Sequence, residues 1–341
     1  MTSAPDLPRA TGLLREALGA RLLTPADPGF PAAVRLWNGA PAGTPALFAR
    51  CRDADEVALA VRVAGRCRLP LSVRGGGHDW AGRALRDGGL VVDLTGMRQV
   101  DIGPGASTVT VGGGATAADA LTALRPYDRV VVTGDDAAAG RAAVDRLRAL
   151  GTPIVDQVAP LAYEDVLRLF DGGMADGNHY LLRTRWLARV DEPVVAALTA
   201  AAGTVSSPFS AIALHHFHGA ASRAPVGRTA FGLRADHLLA EIIGVWPPGG
   251  DPAPHRAWAE HTSAALAAHA LPGGYPNLLA PEETDRVRLA YGPNWERLRR
   301  VKRRYDPRGM FSAVPTLPPA GPPGPRHGEG GRHPREHPAG T

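Results

Sequence analysis

The sequence predicts an α+β protein built from two units, and three observations carry that expectation. From residue 44 to 124, helix-period and strand-period segments alternate, and glycine triplets follow two of the strands. Beyond residue 126 the texture changes to longer helical patterns interleaved with separate apolar strands. At 341 residues, with 44% hydrophobic and 21% charged residues, the chain is long enough for two buried cores.

In the first unit, Asp53 to Arg66 carries Val57, Leu59, Ala60, Val63 and Ala64 at helical spacing, with Asp53 or Asp55 placed to cap its start. Leu69 to Val73 reads as a strand that runs into Arg74-Gly75-Gly76-Gly77-His78. Gly89 to Leu94 is a second strand. Thr108 to Val111 is a third, followed by Gly112-Gly113-Gly114 and a helix from Thr116 to Leu124.

In the second unit, Val130 to Val132 reads as a buried strand, and Asp135 or Asp136 caps a helix from Ala137 to Leu150. Helices are expected at Tyr163 to Phe170, Glu192 to Ala202, Pro254 to Ala270 and Glu282 to Arg304. Strands are expected at Ser210 to Phe217, Thr229 to Gly232 and Ala240 to Trp246. From Pro318 onward the chain is mostly Pro, Gly, His and Arg, with alanine its only apolar residue, the composition of a disordered tail.

Composition removes several function classes. Formal net charge is +5, yet Lys302 is the only lysine, so neither a Walker loop nor a Schiff-base nucleophile has its lysine in place. Lys302 lies in the basic run Arg299 to Arg304, which reads as a solvated helix face; no nucleic-acid reading module accompanies it, so no nucleic-acid partner is expected. Cys51 and Cys67 have no metal or CxxC spacing and read as buried free thiols. Residues 1–23 lack the apolar core of a signal peptide, and no stretch is long enough to span a bilayer, so the expectation is a soluble, cytoplasmic protein without a membrane partner.

The chemistry concentrates at the first glycine triplet. Successive backbone N–H groups in such a turn form a nest for anions, typically phosphate oxygens. Arg74 at its rim adds positive charge, and His78 follows the loop directly. On the strand 210–217, His216 and His218 point to one face; a wall or core position fits them better than a metal site, since no further ligand is evident. A rival reading arises at Gly112 to Ala117, which fits G-x-G-x-x-A between a strand and a helix, with Asp135 near the place of a ribose-binding acid. That would be an NAD-binding oxidoreductase, although the helix is short and no further βαβ repeats follow.

Thr44 to Cys51, Asp55-Glu56-Val57, Leu69 to His78 and Asp87 to Leu94 follow one another in an order that resembles the PCMH-type FAD-binding domain of berberine-bridge-enzyme-like oxidases. The resemblance resumes at Gly273-Gly274-Tyr275-Pro276-Asn277, Asp285-Arg286-Val287, Tyr291 to Leu298 and Lys302 to Phe311. It implies that Arg74, Gly75, Gly76, Gly77 and His78 wrap the FAD diphosphate. It also implies that His78 bonds through a ring nitrogen to the flavin 8α-methyl, that Tyr275 is the catalytic base, and that Asn277 lies near the flavin. The implied function is an FAD-linked oxidoreductase moving hydride from an alcohol or similar small molecule to covalent FAD, with O2 as acceptor.

The resemblance also implies a truncated FAD-binding domain. After the helix ending at Leu124 the family continues with the second half of that domain, whereas here Val130-Val131-Val132, resembling a substrate-domain strand, follows within a few residues. No cysteine matches a second flavin attachment site, and Val314-Pro315-Thr316 replaces the usual asparagine after Asp306 to Phe311. The expected organisation is residues 1–125 as the N-terminal half of the FAD-binding domain and 126–290 as an α+β substrate domain with an antiparallel sheet. Residues 291–319 would return to the FAD domain, and 320–341 would be the tail. A half-open groove leaves two further alternatives: a non-catalytic degenerate homologue or binding protein, or a chain whose protein partner covers the missing half.

Overall fold

In the computed structural model, residues 4–41, 43–106, 108–124, 137–149, 165, 168 and 174–312 are described. The helix Ala54–Cys67 is a crossover that lets the strands flanking it run parallel in the first sheet. It contains β1 (Leu22–Leu23), β2 (Leu47–Arg50), β3 (Leu71–Arg74) and β4 (Leu90–Asp93), in the spatial order β1-β2-β4-β3. Both β2 and β3 pair parallel to β4, and β1 closes the other edge antiparallel to β2. Helices α1 (Leu7–Leu18) and α3 (Ala54–Cys67) bury their apolar faces against one side of this sheet, and the short α2 (Phe30–Ala33) adds Ala33 and Phe30 to a core on Phe48 and Val91. Each Leu or Val so buried contributes roughly 1.5–3 kcal/mol.

Asp53 is the cap of α3: its carboxylate accepts from the Glu56 N–H at 2.9 Å. Both cysteines lie in this core as free thiols, and burial pushes Cys51 up to about 11, which leaves it unreactive. A hairpin of β5 (Val100–Ile102) and β6 (Val109–Val111) leads to α4 (Ala117–Leu124), whose start is a reciprocal box between Thr116 and Asp119. Helix α5 (Ala137–Arg148) follows.

The second sheet is antiparallel throughout, ordered β10-β7-β9-β8 from β7 (His179–Leu187), β8 (Ala211–Phe217), β9 (His237–Trp246) and β10 (Ala270–Leu271). Helices α6 (Glu192–Ala202) and α8 (Ala253–Ala267) cover one face, joined by the Trp258 Nε1 bond to the Ala201 carbonyl, while α7 (Ala220–Arg223) follows β8. On the opposite face, Trp186 packs with Leu279, Val287 and Ala290, the last two from α9 (Thr284–Tyr291). Helix α10 (Trp295–Tyr305) carries the basic run, with Lys302 paired to Asp306 at 2.5 Å.

Two expectations are corrected. The helix expected from Glu282 to Arg304 is two, because Gly292 takes φ +49° and Pro293 lacks an N–H, so α9 ends and α10 restarts. Thr229 to Gly232 is not a strand; it crosses the face of the second sheet as irregular chain, close enough that a Cβ on Gly232 would lie 2.5 Å from the Tyr291 carbonyl oxygen. The long strand β7 was not foreseen. The strand expected at Val130–Val132, the cap at Asp135 or Asp136 and the tail from Pro318 lie outside the described residues, as does nearly all of the helix expected at Tyr163–Phe170. Among the described residues, no helix is long and apolar enough to cross a membrane.

Candidate active site

Strand β3 delivers the chain into the first glycine loop, and three contacts shape it. Gly77 sits at φ +74°, a conformation that disfavours any side chain. A Cβ on Gly75 would lie 3.0 Å from the Gly113 carbonyl oxygen, so the two glycine loops abut. Arg74 donates to the carbonyls of Ala33 at 2.5 Å and Arg35 at 3.2 Å. Its guanidinium, and with it the positive charge, is therefore turned onto the chain at the end of α2 and braces the loop there.

The N–H groups of Gly75, Gly76, Gly77 and His78 donate to no acceptor among the described residues. Four adjacent free donors in a glycine turn form an anion nest. His78 is exposed, and its ring leans on Trp37 with centroids 4.5 Å apart. Beside it opens a cavity of about 390 Å³ bounded by Ser72, Val73, Trp80, Arg83, Asn277 and Phe311. Trp80 lines it, with its buried Nε1 unpartnered among the described residues.

Tyr275 and Asn277 reach this region on the loop after β10. Gly273 takes φ +91°, and a Cβ there would lie 2.8 Å from the Ala290 nitrogen, so only glycine lets the loop pass under α9. Arg286 pins the loop by donating to the Gly273 carbonyl at 2.9 and 2.7 Å and to the Thr184 carbonyl of β7 at 2.8 Å. Arg83 ties the His78 loop to the same segment, through Asp79 at 3.0 Å, the Asn277 carbonyl at 3.2 Å and the Leu279 carbonyl. The Asn277 amide donates to the Tyr275 hydroxyl at 3.2 Å.

Tyr275 lines a second cavity of about 410 Å³, whose walls are Trp186, Phe217, Phe231, His215, His216 and His237, with Arg234 at its margin. His237 stacks on Phe217 at 4.7 Å, and burial lowers its pKa, so the ring is neutral at neutral pH. His215 Nε2 lies 3.4 Å from a Glu241 oxygen, and His216 stacks on His218 with centroids 4.4 Å apart. Among the described residues, no group of three His, Cys, Asp or Glu is arranged to hold a metal.

The structure thus brings His78 and Asn277 to one cavity and Tyr275 to its neighbour, joined by the Asn277–Tyr275 hydrogen bond. Sequence reasoning missed the residues that hold these loops together: Trp37, Asn38, Arg83 and, in its clamping role, Arg286. Their sequence signal is weak, because an arginine in a loop does not announce which distant carbonyl it will reach. The glycines at 112–114 have a packing job: β6 pairs antiparallel with β5, and a Cβ on Gly114 would fall 1.7 Å from the Leu94 carbonyl oxygen. A dinucleotide fold needs that strand in a parallel sheet, so the NAD reading gains no support.

Residues 45–140 match the family described as FAD binding domain, and residues 274–315 match that described as berberine and berberine like. Over these two segments the chain is similar to berberine-bridge-like FAD-linked oxidoreductases. It is 38% identical over 113 residues to (R)-6-hydroxynicotine oxidase of Paenarthrobacter nicotinovorans, a match covering 33% of this chain and 25% of that protein. FAD-linked oxidoreductase hasG of Aspergillus fumigatus is 30% identical over 122 residues, covering 36% of this chain and 26% of the relative. The matches thus span about a quarter of the length of these curated relatives.

Solved structures of similar fold include 6-hydroxy-D-nicotine oxidase of Arthrobacter nicotinovorans, with a TM-score of 0.74 at 20% identity over 89% of this chain and 98% of that one. BBE-like 1 of Physcomitrella patens gives a TM-score of 0.80 at 14% identity over 92% and 99%. The PCMH-type fold assigned to the berberine-bridge-like family is therefore that of this chain, with an antiparallel second sheet.

Proposed function

We propose that this chain carries FAD covalently on His78 and oxidises an alcohol or similar small molecule. The observation that carries the reading is the set of four unengaged N–H groups from Gly75 to His78, in a turn where Gly77 takes φ +74° and a Cβ on Gly75 would lie 3.0 Å from the Gly113 carbonyl oxygen. Such a nest fits the diphosphate of a dinucleotide. When bound, FAD supplies an electron-poor ring that accepts a hydride from carbon and passes two electrons on to O2, giving hydrogen peroxide.

The chain's own residues do the rest. Gly75 to His78 bind and orient, Arg74 and Arg83 hold the loop rigid, and Asn277 fixes the position of the Tyr275 oxygen at 3.2 Å. Tyr275, acting as its phenolate, takes the substrate hydroxyl proton and becomes the neutral phenol, which makes the alcohol carbon a better hydride donor. The second cavity, walled by Trp186, Phe217 and Phe231, receives the substrate beside the Tyr275 oxygen.

Purified protein should be yellow and should keep its colour after acid precipitation, with one FAD added to its mass; His78→Ala should release the flavin. Covalent flavin retained in that variant would sink the assignment. A second reading has its own support, because the matches reach only about a quarter of the curated relatives' length and the exposed Val73 and Phe311 line the first cavity. On that reading the chain is a non-catalytic homologue, or one that needs a protein partner to close the groove. Colourless protein that takes up no FAD would favour it.

A further inference from the structure

We infer that Trp37 is the positioning residue that holds the His78 imidazole for attachment to the flavin, an inference that rests on the covalent-FAD reading above. His78 follows three glycines, is exposed, and makes no hydrogen bond with the described residues. A side chain in that setting samples its rotamers freely unless something packs on it. What packs on it is the indole of Trp37, with centroids 4.5 Å apart and planes inclined at 38°.

Trp37 is itself held from four directions. Its N–H donates to the Gly77 carbonyl at 3.2 Å, and its carbonyl accepts from Gly177 at 3.0 Å. Its Nε1 donates to the Met174 carbonyl at 3.0 Å. Its ring stacks on Tyr180 of β7, with centroids 4.0 Å apart and planes within 18°. Tyr180 is buried and anchored through its hydroxyl to the Ala175 carbonyl at 2.7 Å. The ladder Tyr180–Trp37–His78 therefore passes the rigidity of the second sheet to an imidazole that its own glycine loop cannot hold. Its next residue, Asn38, repeats the link by bonding to both Trp80 and Tyr180.

The step that needs this orientation joins a ring nitrogen of His78 to the 8α-carbon of the flavin. One C–H bond of the methyl group and the imidazole N–H break, and both hydrogens leave as protons. The two electrons left on the flavin pass to O2, which with those two protons becomes hydrogen peroxide. Misplacing a reacting group by about 1 Å slows such a step on the order of 10²-fold. Loss of the indole should therefore slow attachment by that factor and leave the fold in place.

The full chain is prepared without flavin and compared as wild type, Trp37→Phe, Trp37→Leu and Trp37→Ala. Covalent uptake of added FAD is followed by fluorescence of the acid-precipitated band. In parallel, histidine-labelled NMR reads the ring protons of His78, assigned with His78→Gln. An imidazole leaning on an indole shows a ring-current shift in the wild type without any flavin. The expected result is a shifted His78 resonance and rapid uptake in wild type, both largely kept by Phe. Both should be lost in Leu, which preserves apolar volume, and in Ala. An unshifted His78 in folded wild type, or wild-type uptake rates in Trp37→Leu, would overturn the proposal. If wild type shows the shift but takes up no covalent flavin, the flavin reading has failed on its own while the NMR series supports Trp37 as the holder of His78.

Discussion

Asn38 gives the sharpest stability test, because a single buried amide joins the two units. Its side chain is 2% exposed and makes four hydrogen bonds. It donates to the Trp80 carbonyl at 2.5 Å and the Tyr180 carbonyl at 2.9 Å, and accepts from the N–H of Ala40 at 3.0 Å and of Tyr180 at 2.9 Å. Replacement by alanine strands up to four backbone groups. A buried group left unsatisfied costs about 1–3 kcal/mol, and water entering the gap recovers part of it, so Asn38→Ala should lose about 3–5 kcal/mol. Asn38→Asp should be as damaging, since a carboxylate has no hydrogen to offer the two carbonyls it would face. Urea unfolding monitored by tryptophan fluorescence measures the loss, and a melting point lowered by on the order of 10 °C should accompany it. A loss below about 1 kcal/mol for both variants would refute the reasoning, because the amide would then not be joining the units.

Other outcomes follow from the same geometry. Glu56, hydrogen-bonded first by Arg21 and also by Arg52, is held down to about 2. Its folded pKa lies below the unfolded one, so its contribution is present above about pH 4.3 and is lost as pH falls toward 2. Acid unfolding of Glu56→Gln should accordingly be less steep across that window than that of wild type, as measured by circular dichroism. Gly273→Ala should destabilise by roughly 2–4 kcal/mol, combining positive-φ strain with a Cβ 2.8 Å from the Ala290 nitrogen, and a melting point matching wild type would contradict it. With a substrate in hand, Tyr275→Phe should slow anaerobic flavin reduction by on the order of 10² to 10⁴ with little change in affinity, and equal rates would make Tyr275 a packing residue.

Much of the first unit was legible along the chain. The helix capped by Asp53, the strands around Leu71 and Leu90, and the glycine loop ending at His78 all depend on neighbours within a few residues, and local signals suffice for those. Strand β7 was not legible, because its sequence His179-Tyr-Leu-Leu-Arg-Thr-Arg-Trp-Leu187 alternates poorly and turns two arginines inward. Arg183 is tolerated there only because Glu260 of α8 and Glu282 meet it at 2.5 and 2.7 Å, partners that are far away in sequence. The break between α9 and α10 was overrun for the opposite reason: Leu289, Leu298 and Val301 sustain a helical pattern across a Gly-Pro pair that ends the first helix.

The candidate site divides the same way. The sequence by itself singled out the proposed site groups, His78 after three glycines and Tyr275 with Asn277 on a double-glycine loop, because residue type and backbone freedom are local properties. It also carried the resemblance to berberine-bridge-like oxidases, in motifs at the two ends of the chain. Only the tertiary structure decided that these loops meet. That meeting rests on Arg83 reaching the Asn277 and Leu279 carbonyls, on Arg286 reaching Gly273 and Thr184, and on Trp37 and Asn38 tying the His78 loop to β7. Each is a long side chain satisfying the backbone of a remote element. Hydrogen-bond satisfaction in a folded interior is set by which chain segments pack together, and no window along the sequence contains both partners.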